Sequence, residues 1–188
     1  RELVLFTAHR LGVDPAQPLP DPHLNLPLGL LPQISPAGIP GISLVTCCMN
    51  REANLLKAID SWLACPELRE IIIVDWSSAE PVQATLQAKG IQDSRIRVIR
   101  VEGETRWILS YAFNVGFRAA TSSRILKADA DIIITPDFFQ KNKLYKDNFI
   151  AGNWRKAPRE QVYVNGLIYT HKSDLATIAG FNEYITTY

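Results

Sequence analysis

The sequence predicts an α/β fold, a mostly parallel twisted sheet with helices on both faces. Two observations carry this. From Ile42 onward, short apolar runs rich in Ile and Val alternate with segments whose apolar residues recur three or four positions apart, the rhythm of strand and crossover helix. The clearest run, Glu70-Ile-Ile-Ile-Val-Asp75, is almost continuously apolar, as a strand covered on both faces must be.

Taken in order, residues 1–41 form a proline-rich start in which each ring removes a backbone donor and disfavours helix in the residue before it. An extended arm or linker is expected there, lying along a surface through Leu19, Leu24, Leu26, Leu28, Leu30 and Leu31, or joining an upstream domain. Residues 42–188 are the expected domain. Ile42–Cys47 reads as its first buried strand, followed by a helix on which Leu55, Leu56, Ile59, Trp62 and Leu63 share a face, with Asn50 as candidate cap. After the Glu70–Asp75 strand, a short helix is expected from about Pro81 to Gly90. Arg95–Val101 alternates charged and apolar residues, which suits an edge strand. Trp107–Ala120 returns to helix, and Arg124–Ala128 is the strand that delivers two acids, Asp129 and Asp131.

Composition bounds the function classes. With 47% hydrophobic residues the chain can build a core, and 20 basic against 19 acidic residues leave a net charge of +1, which gives no reason to propose nucleic acid or an anionic membrane as partner. No apolar run approaches the roughly 20 residues of a membrane span, and the start lacks the order of a signal peptide. Because it opens on Arg1 instead of Met, a fragment or processed form is expected. Three cysteines, Cys47, Cys48 and Cys65, make neither a disulfide framework nor a zinc spacing, so a reducing, cytoplasmic location is expected.

Open α/β sheets bind ligands beyond the carboxyl ends of their strands. That rule gathers Thr46, Cys48 and Asn50 after the first strand, Asp75, Trp76 and Ser77 after the second, and Asp129 and Asp131 after the later one. If Arg124–Ile134 stays extended, Asp129 and Asp131 point to one side and can address one cation, while Ala130 leaves room for a ligand. Hard oxygen donors suit Mg²⁺ or Mn²⁺ that is also held by substrate phosphates. The plainer alternative is a turn whose aspartates face water and bond their own backbone. The first turn has no glycine, so neither a dinucleotide fingerprint nor a Gly-x-x-x-x-Gly-Lys loop is present. His171 is a weaker metal candidate beside the expected cap Ser173. Trp107 reads as core more readily than as a sugar platform, Trp154 as either, and Arg51 and Arg106 as candidate phosphate contacts.

Read as a set, these residues resemble the family 2 type inverting glycosyltransferases of GT-A fold. Cys47-Cys48-Met49-Asn50 stands where the family has a Pro-Thr-Tyr-Asn-like turn. Ile72-Ile-Val-Asp-Trp-Ser-Ser78 is similar to its Val-Asp-Asp-Gly-Ser segment, with Trp76 and Ser77 departing from the pattern. Tyr111-Ala-Phe-Asn-Val-Gly116 resembles Ala-x-Asn-x-Gly, Lys127-Ala-Asp-Ala-Asp131 matches Asp-x-Asp, and Asn165–His171 with Ala179-Gly-Phe-Asn-Glu183 resembles the acceptor-side strand and the Gly-Gly-Phe-Asp-Glu turn. The resemblance implies a UDP-sugar donor, a carbohydrate or other hydroxyl acceptor, and Mn²⁺ or Mg²⁺. It assigns donor binding to Thr46, Cys48, Asn50, Asp75, Asn114 and Asp129, with Asp75 reading uracil and Asp131, aided by Asp129, holding the metal.

The relatives with a galactosyltransferase-like end carry their catalytic base in a Trp-Gly-x-Glu-Asp segment just after that turn, so the base is expected beyond Tyr188 and this form is expected to bind donor but transfer slowly. Within the chain, Glu160, Asp174 and Glu183 are the acids to weigh against that expectation. The competing functional classes are an inactive sugar-nucleotide or carbohydrate-binding module of the same fold, and a nucleotidyltransferase, for which Asn50-Arg51-Glu52 makes a poor triphosphate loop.

Overall fold

The structure is a computed structural model and describes residues 33–152 and 166–186. The described fold lies within one compact unit, Ile34–Tyr188. Its elements are β1 (Ile39–Cys48), α1 (Glu52–Leu63), β2 (Leu68–Trp76), α2 (Val82–Ala88), β3 (Ile96–Val101), α3 (Leu109–Ala119), β4 (Ser122–Lys127), α4 (Phe138–Lys141), β5 (Ile150–Ala151), β6 (Ile168–His171) and α5 (Lys172–Thr177). The six strands form one sheet in the order β3-β2-β1-β4-β6-β5. β1 to β4 are parallel, and β6 runs antiparallel to both β4 and β5. The expected α/β class and the edge position of β3 both hold.

Two apolar layers cover the sheet because β1 and β2 alternate their side chains between faces. Leu44, Ile71 and Ile73 meet Leu55, Ile59 and Trp62 of α1 on one side. Val45, Ile72 and Val74 meet Phe113 and Phe117 of α3 and Leu175 of α5 on the other. Helix α3 comes close to the sheet at Gly116, where an added Cβ would fall inside 3.0 Å of Val45 Cγ1 and 3.3 Å from Val74 Cγ2.

Several local expectations change. β1 begins three residues earlier than expected, and Asn50 does not cap α1. The N-cap is Arg51, while Asn50 takes the left-handed conformation (φ 57°) and accepts the Ala79 N–H through its side-chain carbonyl at 2.8 Å. Ser173 is likewise not a cap, since α5 starts from His171. α3 begins at Leu109, leaving Trp107 in the preceding loop and 37% exposed, outside the core expected for it. Trp154 lies outside the described residues. β4 stops at Lys127, so Asp129 and Asp131 are not on an extended strand. They belong to a turn closed by the Ile132 N–H donating to the Asp129 carbonyl at 3.0 Å.

Candidate functional site

The strand order reverses at β1, whose neighbours are β2 on one side and β4 on the other, so the crevice at the carboxyl ends of β1 and β4 is the topological switch point where such sheets take ligands. The β4 end is built by α1. Trp62 Nε1 donates to the Ile132 carbonyl at 2.8 Å, and the Ile134 N–H donates to Ser61 Oγ at 3.1 Å, fixing the loop that carries both aspartates. The side chains of Asp129 and Asp131 are 42% and 55% exposed, and that of Arg51, across the crevice, is 66% exposed with Nη1 3.9 Å from Asp131 Oδ2. Asn50 is exposed beside them.

The other residues assigned to donor binding face inward. Thr46 and Cys48 lie within β1 with at most 1% exposure, and Thr46 Oγ1 has no hydrogen-bond partner among the described residues. Burial pushes the Cys48 thiol up to about 11, so it stays neutral. Asp75 is fully buried. Its Oδ1 accepts the Ser78 N–H at 3.0 Å, and its Oδ2 accepts the Val82 N–H at 3.0 Å and Arg100 Nη1 at 2.6 Å. Asn114 is also fully buried and clasps the C-terminal turn: its amide donates to the Phe181 carbonyl and to Glu183 Oε1, and its carbonyl oxygen accepts the Phe181 N–H, each at 2.8 Å. In this conformation these four side chains are buried and do not open into the crevice.

His171 is corrected as a metal candidate. It pairs with Arg124 across β4 and β6, five residues before Asp129 and hence about 16 Å away at the opposite end of the sheet. Asp174 shares that far end, since Thr170, its hydrogen-bond partner at 3.3 Å, pairs with Ile125. Glu183 is occupied by Asn114 and by Arg118 at 2.8 Å. Glu160 lies outside the described residues. Trp107 lines a small apolar cavity with Leu109, Phe181 and Ile185, and Arg106 donates to the Thr186 carbonyl at 3.5 Å.

Three features escaped the sequence reading. Lys127, buried at the end of β4, donates to Asp129 Oδ1 at 2.5 Å and to the Gly166 carbonyl at 2.6 Å, and its ammonium lies 4.4 Å from the Phe113 ring centre. Gly166 packs so tightly that a Cβ there would overlap Asp129 Oδ2. Trp76, which the strand-end rule gathers at the crevice, is instead fully buried in the core and donates to the Arg106 carbonyl at 2.9 Å. An apolar-run lysine and a lone glycine carry little signal in a sequence, although an ammonium two residues before an acid on a buried strand demands a partner.

Residues 43–163 match the family model described as Glycosyl transferase family 2, and the chain belongs to that family. No curated protein matches the chain. Among solved structures, it is similar to the mannosyltransferase PcManGT from Pyrobaculum calidifontis, in complex with GDP-Man and Mn2+, at 16% identity and TM-score 0.60, covering 82% of this chain and 52% of that one. TarS 1-349 of S. aureus follows at 13% identity and TM-score 0.56, covering 78% and 52%. Glucosyl-3-phosphoglycerate synthase from Mycobacterium tuberculosis, in complex with UDP, aligns at 19% identity and TM-score 0.51, covering 72% and 58%. At these identities the likeness shows the GT-A fold, and the chain spans about half the length of the first two structures. Among the described residues, no helix is long and apolar enough to cross a membrane.

Proposed function

We propose that this domain is a metal-dependent glycosyltransferase that takes a nucleotide-diphosphate sugar, UDP-linked, at the switch point between β1 and β4 and transfers the sugar with inversion to a carbohydrate or other hydroxyl acceptor. The observation that carries the reading is the pair of exposed carboxylates, Asp129 and Asp131, in one anchored turn at that crevice. Among the described residues there is no group of three or more His, Cys, Asp or Glu side chains able to hold a metal. Two hard carboxylates suit Mn²⁺ or Mg²⁺ whose remaining ligands are diphosphate oxygens and water. Asp131 is the direct ligand in this reading, since Asp129 Oδ1 already holds an ammonium. When bound, the metal neutralises the charge that develops on the leaving diphosphate. Arg51 stands at the same mouth and adds a cation toward the phosphates.

The base sits against the wall built by Asp75. For Asp75 to accept the ring N–H of uracil, either Arg100 gives way or the base uses the remaining lone pair of Oδ1, because the Ser78 and Val82 amides are backbone donors held in the turn and at the start of α2. The similar structures carry GDP-Man in one case and UDP in another, so the fold leaves the base open and UDP is the finer proposal. Inversion requires a carboxylate to take the acceptor hydroxyl's proton. Asp174 and Glu183 are placed or engaged elsewhere and are not assigned that role.

The test is ³¹P NMR of UDP and of GDP with the protein at substoichiometric Mn²⁺. Paramagnetic broadening of the UDP lines beyond that in protein-free solution, lost in Asp131→Asn, supports the reading. Equal broadening in the variant, or a preference for GDP, contradicts the assignment of Asp131 or of the base.

A further inference from the structure

The two carboxylates of the turn stand in unlike electrostatic settings. Asp129 Oδ1 accepts from Lys127 at 2.5 Å, and the Lys127 side chain is only 7% exposed, so this pair is partly withdrawn from water and weakly screened. The ammonium is fixed from two further sides, by the Gly166 carbonyl at 2.6 Å and by the Phe113 ring. The other oxygen of Asp129 lies so close to Gly166 that a Cβ there would overlap it, so the wall on that side leaves no room for any larger residue. Among the described residues, Asp131 has an ion pair with Arg51 at 3.9 Å, and both side chains are more than half exposed. At the mouth of the crevice, two carboxylates therefore face two cations.

We infer that Lys127 is a positioning residue that neutralises Asp129, leaves Asp131, which faces only the exposed and movable Arg51, as the carboxylate open to a metal, and so makes metal occupancy conditional on a bound nucleoside diphosphate. This rests on the function proposed above. A divalent ion entering without nucleotide gains the attraction of one carboxylate and meets the repulsion of the fixed Lys127 ammonium and of Arg51. A diphosphate supplies the missing negative charge and the missing oxygen ligands together. The coupling is reciprocal, so Mn²⁺ must tighten the nucleotide by the same factor as the nucleotide tightens Mn²⁺. Asp129, held by the ammonium, keeps its remaining lone pairs for a hydroxyl of the donor.

The experiment follows free Mn²⁺ by electron paramagnetic resonance as protein is added, with and without UDP, after subtracting the Mn²⁺ that UDP chelates alone. The native protein is expected to bind Mn²⁺ at least tenfold more tightly with UDP. Lys127→Gln, which keeps hydrogen bonding to Gly166 and Asp129 but removes the charge, should strengthen binding of Mn²⁺ alone several-fold and shrink the UDP effect, while Lys127→Arg should restore native behaviour. Arg51→Gln, at an exposed side chain, should shift Mn²⁺ binding in the same direction by less. Equal Mn²⁺ affinity with and without UDP in the native protein overturns the inference, as does a folded Lys127→Gln whose affinity for Mn²⁺ alone is unchanged or weaker. No Mn²⁺ binding even with UDP overturns the reading of the site itself, and this inference with it.

Discussion

Replacing Gly116 by alanine sets local propensity against packing, and the two predict opposite signs. Inside a helix, glycine is less favourable than alanine by about 0.8–1.0 kcal/mol, so Gly116→Ala in isolation should stabilise α3. The structure puts the new methyl inside 3.0 Å of Val45 Cγ1 and at 3.3 Å from Val74 Cγ2, and both valines have no exposure at the centre of the sheet. Neither can yield without moving β1 or β2, and overpacking of this kind costs about 1–3 kcal/mol, sometimes more. The two net to a loss of about 0–2 kcal/mol, and the severe overlap with Val45 places the expectation in the upper half of that range, which for a domain of this size lowers Tm by about 2–8 °C. Urea unfolding followed by far-UV circular dichroism measures it, with the slope m unchanged. A variant more stable than the native chain would mean that α3 does not sit on β1 through Gly116, and the placement of Asn114 and the C-terminal turn would fall with it.

Ala179 holds a left-handed conformation (φ 59°), so Ala179→Gly should stabilise by about 0.5–1 kcal/mol in thermal unfolding, whereas a loss would refute the strain. Ser77 has a similar φ of 54°, but its hydroxyl donates to the Val101 carbonyl and accepts the Glu104 N–H, so Ser77→Gly should not stabilise. Asp75→Ala strands the buried Ser78 and Val82 amides, at about 1–3 kcal/mol each, and should lower stability even where no nucleotide is present; a stable variant that merely loses nucleotide affinity would show that Asp75 serves only the ligand. Burial pushes the Glu70 carboxyl up, but hydrogen bonds from Ser43 and Thr121, with Arg97, outweigh it and hold it below its ordinary value. Its stabilisation is therefore present above the unfolded value of about 4.3 and is lost as pH falls through the folded one, so Glu70→Gln should flatten the acid limb of a stability-versus-pH curve; an unchanged limb would assign acid unfolding to other groups.

The framework was legible because strands covered on both faces and helices covered on one leave different periods in the sequence, and β1 to β4 with α1 to α3 follow those periods closely. In the Gly-Phe-Asn-Glu turn, Glu183 is held by Asn114 and Arg118, contacts that no local sequence pattern announces. The site was half legible. Polar residues at strand ends could be gathered at the carboxyl end of the sheet, but residue type does not reveal whether a side chain is already consumed inside the protein. Asp75 spends its hydrogen bonds on the nearby Ser78 and Val82 amides and on Arg100, Asn114 spends its own on the distant C-terminal turn, and Thr46 and Cys48 follow the pleat inward. The end of β4 was overrun because Ile132-Ile-Ile134 continues an apolar pattern, while tertiary contacts from Ser61 and Trp62 of α1 turn the chain there. The short β5 carries two residues, too few to show a period.

The central claim is that the Asp129–Asp131 turn at the β1/β4 switch point holds a nucleoside diphosphate through a divalent metal. Titration calorimetry with UDP, in Mn²⁺ and then in chelator, tests it most directly. The account predicts saturable heat with Mn²⁺ that is lost in chelator and in Asp131→Asn, with both proteins folded by circular dichroism. Binding that is indifferent to the metal, or that survives Asp131→Asn unchanged, would contradict it.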